Sequence, residues 1–231
     1  MKIGGLQKFS LIDYPGKISA VVFVQGCNFR CPYCHNRDLV LPEYFSPEIP
    51  EADLLEFLEG RKGKIQGVVI TGGEPTIFPD LPEFLRKIKT LGFQIKLDTN
   101  GSNPEMLELL IKENLIDYLA MDIKAPLEKY PEITNFQISK DTLLRSIEII
   151  TSSDIPYEFR TTVIKDLLNQ IDILKISNLI KGSKRYALQN FHPSERLIEN
   201  SFKNKKGLSE EEILNLKKRL EDKFGEIIIR T

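Results

Sequence analysis

An open α/β sheet, curled into an incomplete barrel, is the fold this sequence predicts, and three observations predict it. Short apolar runs rich in β-branched residues alternate with amphipathic runs of helical spacing. The apolar runs are mostly continuous, as in a parallel sheet covered on both faces. Six such strand–helix steps occur, too few for a closed eightfold barrel. At 231 residues and 41% hydrophobic content the chain can bury a sizeable core, and one domain over residues 1–231 is the simplest account. No low-complexity linker and no repeat beyond the alternation divides it.

The elements follow in order. "LQKFSLIDYPGK" (6–17) predicts an added N-terminal strand and a turn at Tyr14-Pro15-Gly16. Core strands are expected at 19–25, 67–71, 93–99, 117–123, 156–164 and 185–190. Helices are expected within 46–60, 80–92, 103–115, 139–153 and 168–182. The second of these opens at Asp80 with a nearby proline and stops at Gly92. In the third, Leu107, Leu110 and Ile111 keep helical spacing. "LSEEEILNLKKRLEDKFG" (208–225) predicts an added helix, acidic at its start and basic at its end, and "EIIIRT" (226–231) a closing strand. "GRKGKIQG" (60–67) carries three basic residues, but its glycine spacing marks a turn.

Bulk properties exclude several function classes. A formal charge of −1 argues against duplex nucleic acid or an anionic membrane as partner. The N-terminus has no unbroken apolar core of a secretory signal, and no window approaches the ~18 apolar residues of a membrane span. A soluble, cytoplasmic protein with reduced thiols is the expectation.

All three cysteines, Cys27, Cys31 and Cys34, fall within "GCNFRCPYCHNRDL" (26–39). Four chemistries compete for them. A disulfide leaves one thiol unpaired and suits the wrong compartment. A redox pair at Cys31 and Cys34 leaves Cys27 unexplained. A structural zinc wants a fourth ligand, and His35, adjacent to Cys34, is poorly placed for a tetrahedron. An iron–sulfur cluster takes clustered thiolates, and three of them on a four-iron cubane leave one iron without a side chain. By analogy with catalytic zinc, an open position signals reaction.

The spacing C-x3-C-x2-C, with an aromatic residue, Tyr33, before its last cysteine, resembles the signature of the radical S-adenosylmethionine (SAM) superfamily. That resemblance implies a [4Fe-4S] cluster on Cys27, Cys31 and Cys34, with SAM chelating the fourth iron and Tyr33 beside it. It also implies a partial (βα)6 barrel, here with an N-terminal strand extension and a C-terminal helix and strand.

Three further motifs sit at strand ends, where an α/β active site gathers its polar groups. In "TGGEPTIF" (71–78), paired glycines let backbone approach a ligand and a carboxylate can accept from an ammonium group. This resembles the family's GGEP motif, which implies that Gly72, Gly73 and Glu74 grip the amino end of SAM. "KLDTNGS" (96–102) offers Asp98 to a ribose hydroxyl or an amine, and Asn100-Gly101 is a turn by itself. "MDIKAP" (121–126) adds Asp122 and Lys124.

"CHNRD" (34–38), "DTNG" (98–101) and "MDIK" (121–124) resemble the activating enzymes of glycyl radical enzymes, and "FSLIDYPGK" resembles the activating proteins of anaerobic ribonucleotide reductase. The resemblance covers most of the chain and fades after about residue 165. It implies contacts to SAM from Asp98 and Lys124, and allows a monovalent cation at Asp98 and Asp122. Arg160 is a candidate for the SAM carboxylate or for a structural ion pair. His192 occupies the place of a SAM-contacting histidine, in a local sequence that departs from the family's, and His35 is a cap on the cysteine loop. The implied reaction is reductive cleavage of SAM, the resulting 5′-deoxyadenosyl radical taking hydrogen from a glycine of a partner enzyme, with a flavodoxin or ferredoxin as reductant. No thiol remains for a second cluster. Two alternatives stay open: a small-molecule enzyme of the same superfamily, such as a 7-carboxy-7-deazaguanine synthase, and a non-catalytic zinc protein using Cys27, Cys31, Cys34 and His35.

Overall fold

The computed structural model describes residues 1–165 and 167–230. Among these residues, eight strands make one sheet in sequence order: β1 (Ile3–Ser10), β2 (Ser19–Val24), β3 (Gly67–Gly72), β4 (Gln94–Thr99), β5 (Tyr118–Asp122), β6 (Tyr157–Val163), β7 (Arg185–Asn190) and β8 (Glu226–Arg230). β1 runs antiparallel to β2, and every later pairing is parallel. The sheet ends on β1 and β8 as its two edges, which makes it the partial barrel that the alternation predicts. Thr231, the last residue of the expected closing strand, lies outside the described residues.

Among the described residues, eight α-helices connect and cover the strands: α1 (Arg37–Val40), α2 (Glu51–Glu59), α3 (Leu81–Thr90), α4 (Pro104–Lys112), α5 (Tyr130–Thr134), α6 (Lys140–Thr151), α7 (Gln170–Leu179) and α8 (Glu210–Leu220). α3 shows why these runs are helical. Leu81, Phe84, Leu85 and Ile88 form one buried stripe, and Gly92 takes the left-handed turn at φ 89° that ends it. Asp80 precedes its first turn, but its carboxylate receives the Met1 ammonium at 2.5 Å and does not cap. α8 is capped reciprocally by Ser209 and Glu212, with Glu210 and Glu211 at its positive end and Lys217, Lys218 and Arg219 at its negative end. The expected turn forms as well, Lys17 N–H donating to the Tyr14 carbonyl at 3.1 Å.

Residues alternate between the two faces of the strands, and the faces differ in chemistry. Val22, Val68, Ile95, Leu97 and Leu119 join the large core beneath the helices. Their neighbours point the other way. Tyr14, Val21, Val69 and Tyr118 form a separate small apolar cluster, and Lys96, Asp98, Glu158 and Arg160 share that inner register. Glu158 is fully buried and is held by both Nη atoms of Arg230 on the last strand, at 2.9 and 2.7 Å. The inside of the barrel is therefore apolar around Tyr14, Val21, Val69 and Tyr118 and charged from Lys96 and Glu158 to Arg160. No helix among the described residues is long and apolar enough to cross a membrane.

Candidate functional site

A cavity of about 380 Å³ opens where the C-terminal ends of β2 to β7 converge. One wall is the loop after β2. It carries Cys27, Cys31 and Cys34, all free thiols, with Cys31 the most buried. The loop is fixed from several sides. Arg30 turns its guanidinium back onto the carbonyls of Cys27 and Phe29, at 2.5 and 2.8 Å. Its amide donates to Thr134 O at the end of α5, and Asn135, in the left-handed conformation at φ 49°, donates to the Arg30 carbonyl at 3.2 Å. Phe29 packs on Tyr130 and Phe136. Beyond the last cysteine, His35 stacks on Phe191 and donates from Nε2 to the His192 carbonyl at 2.8 Å.

The glycines after β3 join this loop to the next strand. Gly73 N–H donates to Val24 O and Glu74 N–H to Gly26 O, both at 2.8 Å. A Cβ on Gly73 would lie 1.9 Å from the Gly26 carbonyl oxygen, and Gly72 holds φ 109°, so both positions require glycine. Glu74 faces inward and is 1% exposed. Its Oε1 accepts from the Thr76 amide, the Thr76 hydroxyl and the Thr99 hydroxyl at 3.0, 2.6 and 2.8 Å, and its Oε2 accepts from the Asn100 amide at 2.6 Å. Burial raises its pKa while those donors oppose the rise. The side chain thus clamps the β3 and β4 ends together, and what it offers a ligand is the backbone it fixes.

Opposite the cysteines stands a chain of alternating charges. Lys96 Nζ bonds Asp98 Oδ1; Arg160 Nη1 donates to Asp98 Oδ2 at 3.0 Å and its Nε to Asp122 Oδ1 at 2.7 Å; Lys124 Nζ donates to Asp122 Oδ2 at 2.9 Å. Burial alone would push both aspartates up, but Arg160 with Lys96 or Lys124 holds each below the usual carboxylate range. Burial likewise works against the charge on Lys124, yet Asp122 more than reverses it and the ammonium stays protonated. Burial raises the thiols, Cys27 to about 12 and Cys31 to about 11, so a metal that binds them as thiolates has to displace their protons.

The structure gathers Tyr33, Gly72, Gly73, Glu74, Asp98, Lys124 and Arg160 around the cysteines. His192 is the exception. It is exposed and outside the cavity lining, and its carbonyl accepts from His35, which does line the cavity. The cation expected at Asp98 and Asp122 meets an arginine in its place, since the Arg160 guanidinium spans both carboxylates. Among the described residues no three His, Cys, Asp or Glu side chains converge on one point, as a mononuclear metal would require, and His35 Nε2 is committed to a carbonyl.

Several lining groups escaped sequence reasoning. Asn36 donates to the Gly72 carbonyl at 2.8 Å, and Asn100 Nδ2 to Asn28 Oδ1 at 2.9 Å. Thr162, Gln189 and Asn190 close the far side. The last three end their strands, and the strand-end rule that singled out Asp98 applies to them equally. Lys96, behind the lining, had a signal too: a charge between Ile95 and Leu97 in the strand run "FQIKLDT".

Comparison with known proteins agrees with this geometry. A 36% identical protein of Methanocaldococcus jannaschii, named as a candidate glycyl-radical enzyme activating enzyme, matches over 99% of this chain and 95% of its own length. The pyruvate formate-lyase-activating enzyme of Clostridium pasteurianum is 28% identical over 96% of this chain and 90% of its own. The crystal structure of Streptococcus suis SuiB bound to S-adenosylmethionine superposes with a TM-score of 0.70 at 16% identity, over 91% of this chain and 50% of that one, a likeness of fold. The model of the radical SAM superfamily matches residues 21–175, from the first core strand through the charge chain and beyond, and the chain belongs to that superfamily.

Proposed function

We propose that this chain is an activase: it binds a [4Fe-4S] cluster and SAM in the cavity and installs a glycyl radical on a partner enzyme. The observation that carries the reading is the cavity's two-sided lining, three thiols facing a fixed chain of charges. A cubane suits the thiols better than one zinc, because three of its four irons would take one thiolate each and the sulfurs need not meet at a point. N–H groups already address Cys27 Sγ, from Phe29 at 3.3 Å and Asn100 at 3.9 Å, the kind of contact that tunes a cluster. When bound, the cluster supplies the electron that splits SAM and so generates the hydrogen-abstracting radical.

The protein's own residues bind, orient and exclude. Cys27, Cys31 and Cys34 hold the cluster. Lys124, whose field reaches Cys31 and Tyr33, presents positive charge to the SAM carboxylate, while Gly72 and Gly73 line the cavity beside its amino end. Asp98 orients the ribose side from a position Arg160 keeps rigid. Phe29, Tyr33 and Phe191 wall the cavity with apolar surface and keep water from the reacting atoms. The partner's glycine reaches the mouth as a loop, and the likeness of "FSLIDYPGK" to activating proteins of anaerobic ribonucleotide reductase makes that reductase the partner we favour. A flavodoxin or ferredoxin is the reductant in this reading.

The test is anaerobic reconstitution with iron and sulfide, then reduction with SAM and the reductase. A glycyl doublet in the EPR spectrum of the partner is expected, and its loss in Cys31→Ala. Deoxyadenosine formed with a pterin substrate, and no doublet with any glycine-bearing partner, would contradict the reading.

A further inference from the structure

Asp98 and Asp122 lie at the C-terminal ends of the neighbouring strands β4 and β5, a pair of carboxylates that invites a cation. All four of their carboxylate oxygens are already taken by fixed positive groups. On Asp98, Lys96 bonds Oδ1 and Arg160 bonds Oδ2 at 3.0 Å. On Asp122, Arg160 bonds Oδ1 at 2.7 Å and Lys124 bonds Oδ2 at 2.9 Å. The Thr71 hydroxyl adds a second donor to Asp98 Oδ2 at 3.2 Å. An added alkali ion would have to displace a protein cation or share an oxygen with one, and in either place it would be repelled at close range by the cations that stay.

Lys96 is the telling member. Its side chain is 3% exposed, lies within β4 between Ile95 and Leu97, and contacts Asp98. A lysine stripped of water in a strand is expensive unless paired. Here its ammonium occupies one whole oxygen of Asp98, which turns the other oxygen to Arg160. We infer that Lys96 and Arg160 are the resident counter-cations of this site, so the chain binds SAM without an alkali metal ion, and that Lys96 is a positioning residue for Asp98. The inference rests on reading the cavity as a SAM site.

Two measurements separate it from that reading. In the first, the chain is melted without SAM in potassium, sodium or tetramethylammonium chloride at equal ionic strength. The wild-type transition should be the same in all three. Lys96→Met should melt lower by roughly 6–20 °C in tetramethylammonium, the range for breaking a buried pair in a chain of this size, and recover part of the loss in potassium or sodium. Lys96→Met combined with Asp98→Asn should melt above the single variant and ignore the salt. In the second, SAM affinity of the cluster-loaded protein is measured in the same salts. The wild type should change less than about twofold, and Lys96→Met should weaken at least about tenfold in tetramethylammonium and regain affinity with alkali ions. Wild-type melting or SAM binding that improves with potassium or sodium overturns the inference, as does a Lys96→Met variant equal to wild type in tetramethylammonium. The wild-type arms decide it even if that variant does not fold. Absence of SAM binding in every salt would instead defeat the site reading, and the melting arm would still judge the counter-cations.

Discussion

Asp122 shares one oxygen with Arg160 and the other with Lys124, and both partners are largely withdrawn from water. Replacing it by Asn removes the negative charge between two buried cations and should cost roughly 3 kcal/mol at neutral pH. The pH dependence carries a sign. The folded carboxyl titrates below its unfolded value, so its stabilisation is fully present above about pH 4 and fades as pH falls toward the folded value. The stability gap between wild type and Asp122→Asn, followed by urea unfolding, should therefore shrink below about pH 4; parallel curves would contradict the ion-pair account. Asp98, Asp122 and Lys124 were legible because charged residues at strand ends converge on one mouth. Which atoms they engage was not legible, since Arg160 reaches Asp98 across 62 positions of sequence. Glu74 illustrates the same gap. The motif marks its position, but only the fold reveals that Thr76, Thr99 and Asn100 saturate its carboxylate.

At the scale of elements, the turn after β3 joins two strands to the cysteine loop. Gly73→Ala would drive a Cβ against the Gly26 carbonyl, a rigid backbone atom, and disturb the pairing of Gly73 with Val24 and Glu74 with Gly26. Overpacking of this kind costs on the order of 1–3 kcal/mol, so melting should fall by about 2–12 °C. Iron retained after reconstitution should fall with it, because Gly26 leads directly into Cys27; unchanged melting and iron content would contradict the tie. Core strands were readable as continuous β-branched runs such as "SAVVFV" and "GVVITG", and α8 from its charge gradient. α1 and α5 were not, being four and five residues long, too short for a periodic pattern. α5 forms because tertiary contacts favour it, with Tyr130 and Ile133 buried and Asn135 bonded to the cysteine loop.

At the scale of the molecule, the parallel strands β2 to β7 bring every motif to the same end. β2 delivers the cysteines, β3 the glycines, β4 Asp98, β5 Asp122 and Lys124, and β6 Arg160. That convergence follows from strand direction, which the alternating pattern already implied. The segment after β7 was less legible, because its contacts reach far back in sequence: Glu199 N–H donates to the Pro32 carbonyl at 2.9 Å and Phe202 packs on Tyr33, which covers the cysteine loop. His192, singled out by its position after β7, is exposed.

The central claim is that three thiolates leave one iron of a cubane free for SAM. Mössbauer spectra of protein reconstituted with enriched iron, recorded with and without SAM, test it most directly. The account predicts that one iron site of the four shifts when SAM is added. Four irons that stay unchanged on addition of SAM would contradict it.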